Sequence, residues 1–359
     1  MIFLNGRCMK KSGRSIVLDK VKALACIFII LIHCKFPGLL GDLCEAFARF
    51  GVPMFFAISG KFLLSENDVS TTQIRTRLKK KIVSLVKIII PIWLFYTVYS
   101  LFYSLTCGYT VSRWASEKYN LFELSRLILF NSGKFIYDFT YAFDHLWFVF
   151  ALLYVYALVF IFAKVVRKWS FPLFILLSAL LYILELLQTY YPIRPFDISV
   201  STWYVVRNWL FVGVPFTMLG VWARDNLYKC TLLCNVKSGV LFVVLGVIST
   251  IAEFKIWGNK EVYLGSLFVV VGALILSEVV HSEKQDIFSF VGDKLSSFIY
   301  YMHVFVISLF GWFIDRINPE LYGNALFMYM RPLVVILLTI AISLLMNWIW
   351  YNTMERKAA

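Results

Sequence analysis

Two histidines and a glutamate sit where an apolar environment makes polar groups expensive. His33 lies in the first long apolar run of the chain, Glu185 in the fifth and His303 in the ninth. An ionised side chain at membrane depth costs roughly 3 kcal/mol or more unless it is paired or hydrated. Counted from Ala23 at 1.5 Å per residue, His33 falls about 15 Å into the hydrocarbon, near the middle of a roughly 30 Å core. His303 reaches a similar depth counted from Lys294. An imidazole so placed has two uses: it hydrogen-bonds a neighbouring helix, or it does proton and acyl chemistry as a general base or a nucleophile.

Spacing adds a cation to the first of these positions. Lys22 precedes His33 by eleven residues, just over three helical turns, which returns to nearly the same face about 16 Å along the axis. A phosphate held at Lys22 and a reactive group delivered to His33 would match the layout of coenzyme A: anionic nucleotide, long arm, thioester. The alternative use of Lys22 is retention of a cytoplasmic end. Cys34 adjoins His33 but points about 100° away, and Ser59, beside Gly60, has no base next to it in sequence and reads as a packing residue.

These residues need elements to carry them, and composition says which. The chain has 359 residues, 60% of them hydrophobic, and the apolar residues form long runs rather than stripes, so the bilayer is the solvent. Runs at about 23–40, 45–64, 82–106, 145–163, 171–190, 203–223, 238–256, 262–280, 295–314 and 332–351 are long enough to span. The fold class is therefore all-α integral membrane, with about ten transmembrane helices. No aqueous segment exceeds about 40 residues, which makes residues 1–359 one membrane domain.

Lysine and arginine, 35 against 21 acids, concentrate in the N-terminal segment, the loop before the third run and the later inner loops, so the basic excess marks orientation rather than nucleic-acid binding and places both termini in the cytoplasm. The loop at 65–81 ends in Lys79, Lys80 and Lys81 and is suited to an anion; the outer segment 107–144, with its Asn131-Ser132-Gly133 turn, is suited to a polar acceptor. Seven cysteines without a CxxC pair argue against a disulfide framework and against a metal site. No half-chain repeat with paired broken helices is visible, which counts against a secondary transporter, although a transporter or flippase of a glycan precursor remains the alternative class for a polar membrane interior.

Several stretches resemble the acyltransferase 3 family. Leu18-Asp19-Lys20-Val21-Lys22-Ala23-Leu24-Ala25 followed by His33 is similar to that family's first-helix [RK]-x10-H signature. Gly51-Val52-Pro53-Met54-Phe55-Phe56-Ala57-Ile58-Ser59-Gly60 with Phe62-Leu63-Leu64 is similar to its FF-x-x-SGFLL element, Lys61 standing where an aromatic is usual. A basic loop and a third helix containing Pro91 follow. The resemblance continues through His145-Leu146-Trp147-Phe148, Arg207-Asn208, Gly213-Val214-Pro215-Phe216 and Tyr300-Tyr301-Met302-His303. The basic loop departs from the usual R-x-x-R arrangement, offering Arg75, Arg77 and lysines instead.

The resemblance implies a membrane-bound O-acyltransferase of the bacterial cytoplasmic membrane. Its donor would be cytoplasmic acetyl-CoA or another acyl-CoA, and its acceptor an envelope glycan or lipid-linked sugar. His33 would be the catalytic base. Lys22, Arg77, Lys79, Lys80 and Lys81 would hold the donor phosphates, and His145, Trp147, Glu185, Arg207, Asn208 and His303 would position the acceptor. Family members often carry an extracytoplasmic esterase-like domain. This sequence shows none, so transfer is expected either to finish within the membrane domain or to pass to a separate extracytoplasmic transferase.

Overall fold

A computed structural model describes residues 14–65, 68, 70–136, 145–190, 206–281 and 284–358. Among these residues every regular element is helical. The helices are α1 (Ile16–His33), α2 (Gly38–Ala48), α3 (Gly51–Lys61), α4 (Thr71–Thr106), α5 (Val111–Lys118), α6 (Leu121–Phe130), α7 (Trp147–Ile161) and α8 (Val166–Tyr190). After them come α9 (Val214–Asn226), α10 (Val236–Trp257), α11 (Leu264–Val279), α12 (Ile287–Ile317) and α13 (Ala325–Ala358). Among the described residues the apolar runs fall largely on helix. Among the described residues six segments are long and apolar enough to cross a membrane: Gly38–Lys61, Thr71–Thr106, Val166–Leu186, Val236–Trp257, Ile287–Ile317 and Ala325–Thr353. The protein is a multi-pass membrane protein.

The first run does not form the continuous helix expected over 23–40. α1 starts earlier, at Ile16, and stops at His33. Pro37 disfavours helical backbone at Phe36, and Gly38 takes a left-handed φ of 64°, so the chain turns sharply there. His33 is therefore the last residue of its helix, about 26 Å from Ile16 along the axis, rather than a residue in mid-helix.

The chain packs as two compact units, Met1–Gly51 with Thr231–Ala359, and Val52–Cys230. In the first, α1 is the central element, packing on α2, α11, α12 and α13, while α10 and α11 form a close pair. A side chain at Gly292, in the π-helical turn Val291–Leu295 of α12, would overlap the Asp19 carbonyl, so only glycine lets α12 reach the α1 backbone. Cys234 is disulfide-bonded, which the odd cysteine count did not lead us to expect.

In the second unit α4 packs on α7, and α8 on α9. α3 and α9 meet backbone to backbone: a Cβ at Gly60 would strike the Thr217 carbonyl, and one at Gly220 the Ala57 carbonyl. Small residues at helix contacts are how membrane helices gain close packing when hydrophobic driving force between them is absent. The Ser59 hydroxyl, beside Gly60, hydrogen-bonds Tyr156.

Candidate active site

In the first unit the two histidines meet. The rings of His33 and His303 lie 5.4 Å apart, centroid to centroid, tilted by 48°. His303 is fully buried, and its Nδ1 sits 3.0 Å from the Ile299 carbonyl and 2.9 Å from the Tyr300 carbonyl. Both partners are acceptors, so Nδ1 carries a hydrogen. His33 is only half-buried. The pair thus consists of one imidazole locked by its own helix and one at the end of α1 with access to solvent or substrate.

The N-terminal half of α1 is an ion-pair network. Lys22 Nζ is 2.8 Å from Asp19 Oδ1, Arg14 Nε is 2.6 Å from Asp19 Oδ2, and Arg14 also reaches Asp293 at 3.2 Å. Lys20 pairs with Asp286 at 2.5 Å. Asp286 caps α12 and, held by the Lys20 ammonium and by the Ser289 backbone N–H, has its carboxyl pulled down to about 2. Lys22 keeps the face it shares with His33, but its charge is largely matched by Asp19, a residue the reading of spacing had passed over although it stands at i−3.

The second unit offers the opposite balance. The start of α4 borders an open cavity of about 530 Å³ lined by Asp68, Thr72, Gln73, Thr76, Arg77, Lys80 and Lys81. Arg77 Nε lies 2.6 Å from Asp68 Oδ2, so among the described residues the lysines face the cavity against a single carboxylate in its lining. Arg77 and Arg224 both act electrostatically on Lys81, so cation crowds cation here. Lys79, one residue from Lys80 and thus about 100° around the helix, does not line the cavity. Arg75 is otherwise engaged, its guanidinium donating to the Phe160 and Ile161 carbonyls at the end of α7.

Arg224 donates to the Lys61 carbonyl, and Arg167 pairs with Asp225 and donates to the Ser65 carbonyl at 2.6 Å. The ends of α3, α7 and α9 and the starts of α4 and α8 therefore gather at one basic end of this unit.

Its other end collects most of the residues expected to position an acceptor. The Arg207 guanidinium stands 5.5 Å from the Trp147 ring centroid, and His145 meets Tyr96 edge to face at 4.9 Å. Asn208 caps the π-helical turn Trp209–Gly213 by accepting from the N–H groups of Leu210 and Phe211. Asn131 joins these pieces. Its Nδ2 donates to the Trp147 carbonyl at 3.0 Å and its Oδ1 accepts from the Trp209 N–H at 2.8 Å. Its left-handed φ of 43° explains the asparagine, and the Asn-Ser-Gly turn was its only sequence signal. Glu185 is buried on α8. His303, grouped with the acceptor residues from sequence, lies beside His33.

Among the described residues no three His, Cys, Asp or Glu side chains converge as a metal site. A family model described as an acyltransferase domain, acyltransferase 3, matches residues 16–350. No curated protein and no solved structure matches the chain.

Proposed function

We propose a reaction and an orientation for this chain, which belongs to the acyltransferase 3 family and is an acyltransferase. It takes an acyl group, most often acetyl, from cytoplasmic acyl-CoA and delivers it to a hydroxyl of an envelope glycan or lipid-linked sugar. The observation that carries the donor is the cavity at the start of α4, where Lys80 and Lys81 face open space with Gln73 and Thr76 beside them. Ammonium groups and neutral donors around an open volume suit phosphate. Arg77, braced by Asp68, supplies a third cation, and Lys22 and Lys79 complete the set of donor-binding cations.

His33 is the base. It takes the proton of the acceptor hydroxyl as that oxygen attacks the thioester carbonyl, and the sulfur leaves as thiolate. His303, locked by its backbone contacts, holds the neighbouring ring in place. His145, Trp147, Arg207, Asn208 and Glu185 bind the acceptor.

The chain crosses the bacterial cytoplasmic membrane about ten times with both termini inside. Counting α1, α7, α9 with its π-helical turn and α11 beside the six longer segments gives that number, and an even number returns the chain to its starting side. A separate extracytoplasmic transferase is the partner if the acyl group is handed on.

Purified protein in vesicles, given labelled acetyl-CoA and a lipid-linked glycan, tests the reading. Label should move to the glycan or, without acceptor, be released slowly by hydrolysis. Accumulation of unmodified glycan inside vesicles with no label transfer would replace the enzyme by a transporter. Reporter fusions after Lys357 and within 112–134 should be active inside and outside respectively; a C-terminal reporter active only outside would end the ten-span topology.

A further inference from the structure

A second cavity in the Val52–Cys230 unit has the opposite chemistry from the first. It measures about 400 Å³, within the size range of ligand pockets. Its floor is Val155 and Val159 of α7, Val166 and Leu177 of α8, and Val214 and Met218 of α9, all buried. Its rim is Phe162, Val165 and Trp169, all exposed. Among the described residues no charged side chain lines it. Along α8 the lining recurs at Val166, Trp169, Leu173 and Leu177, one helix face about 16 Å long.

One end of this groove is cationic. The turn joining α7 to α8 carries Lys164, and Lys168 follows in the first turn of α8; both are exposed. Among the described residues no carboxylate pairs with either. Arg167 between them is engaged by Asp225. The groove thus opens at the basic end of the unit, beside a tryptophan of the kind that anchors at a membrane interface.

We propose that this groove binds one acyl chain of an anionic phospholipid of the bilayer, with its phosphate held by Lys164 and Lys168. The groove's apolar lining takes the chain, the two free ammonium groups select the headgroup, and Trp169 sits at the level where the two meet. This site is separate from the donor cavity: no residue is shared between the two linings. Its occupant is a component of the membrane and is not consumed by the acyl transfer.

Photolabelling of the full-length protein in nanodiscs tests this. The probe is a phosphatidylglycerol with a diazirine in one acyl chain, and labelled peptides are mapped by mass spectrometry. Labelling should concentrate on 155–177 and be competed by unlabelled phosphatidylglycerol far better than by phosphatidylcholine. The variant Lys164→Ala/Lys168→Ala changes only exposed side chains. It should weaken phosphatidylglycerol competition about 25-fold, since each surface cation is worth roughly a fivefold factor for anionic lipid, and leave phosphatidylcholine competition unchanged. Leu173→Trp, filling the groove, should abolish labelling at 155–177, with thermal unfolding checking that the helices remain packed. Label spread evenly over the lipid-facing sides of α4 and α10 would overturn the site. Equal competition by the two lipids, unaffected by the lysine pair, would overturn the headgroup assignment.

Discussion

The two units spend their charges differently. At the start of α1, Arg14, Lys20 and Lys22 each face an aspartate, and the network closes on itself. At the start of α4, Lys80 and Lys81 face a cavity whose one carboxylate among the described residues, Asp68, is already engaged by Arg77. Paired cations hold helices together and gain little by releasing their partners for a ligand. Crowded cations repel one another, and an arriving polyphosphate relieves that repulsion. Basic residues that look equivalent in sequence are thus divided into structural and binding groups by the carboxylates they meet. The imidazoles reverse the pattern: the first unit contributes the close pair His33 and His303, whereas His145 in the second packs against Tyr96.

The strongest way to break this division is at His33. His33→Ala should lower single-turnover acyl transfer by about 10² to 10⁴, the usual contribution of a positioned general base, with donor binding and thermal unfolding nearly unchanged. His33→Gln keeps a hydrogen-bonding group but no titratable one. A glutamine variant with near-normal turnover would reduce the pair to a helix-to-helix contact and leave the first unit without chemistry.

A smaller effect belongs to the cavity. Lys80→Ala/Lys81→Ala should raise KM for acetyl-CoA about tenfold or more while changing kcat little, because phosphate contacts made equally in ground and transition states contribute binding only. Lys79→Ala is the internal control, expected within about twofold of wild type since that side chain lies off the cavity. If all three lysines proved equal, the charge of the run rather than its geometry would be what matters.

Lys22→Ala sharpens the comparison from the other side. Its match with Asp19 predicts a KM change below about threefold together with a measurable loss of thermal stability, as Asp19 is left buried with Arg14 as its remaining partner. A tenfold KM effect without destabilisation would move Lys22 into the binding group.

The smallest effect is a pH dependence at Lys20 and Asp286. The Asp286 carboxyl is lowered from 3.8 to about 2 in the folded protein, so the folded state binds this proton less readily than the unfolded state. The contribution is present above about pH 4 and is lost as pH falls through about 2. The gap in unfolding temperature between wild type and Asp286→Asn should be constant from pH 7 to about 4 and close below that. A gap that persisted at about pH 2 would show that the cap hydrogen bond to Ser289, not the charge, sets Asp286's role.

Much of the architecture was legible in the chain because in a bilayer length and hydropathy are themselves the physical requirement for a spanning helix. Apolar runs became helices for that reason, and Lys22 and His33 kept the shared face that a helical repeat imposes. Phe36-Pro37-Gly38 carried the information that the first helix ends at His33, but the apolar residues on either side masked it. Asp19 was visible at i−3 from Lys22, and its effect on the lysine's charge follows from helix geometry alone.

Other decisions needed contacts between residues far apart in sequence. That His303 belongs with His33 depends on α12 packing against α1, which glycine at 292 permits. That Arg75 ties down the end of α7 while Lys80 and Lys81 face open space depends on which neighbour each side of α4 meets. That Asn131 links the starts of α7 and of the π-helical turn before α9 depends on a loop closing over both. Composition and periodicity determined the solvent, the helices and the faces they present. Tertiary packing decided which polar groups on those faces satisfy one another and which are left facing space that a ligand can fill, because a charge's availability is set by its partners and not by its place in the chain.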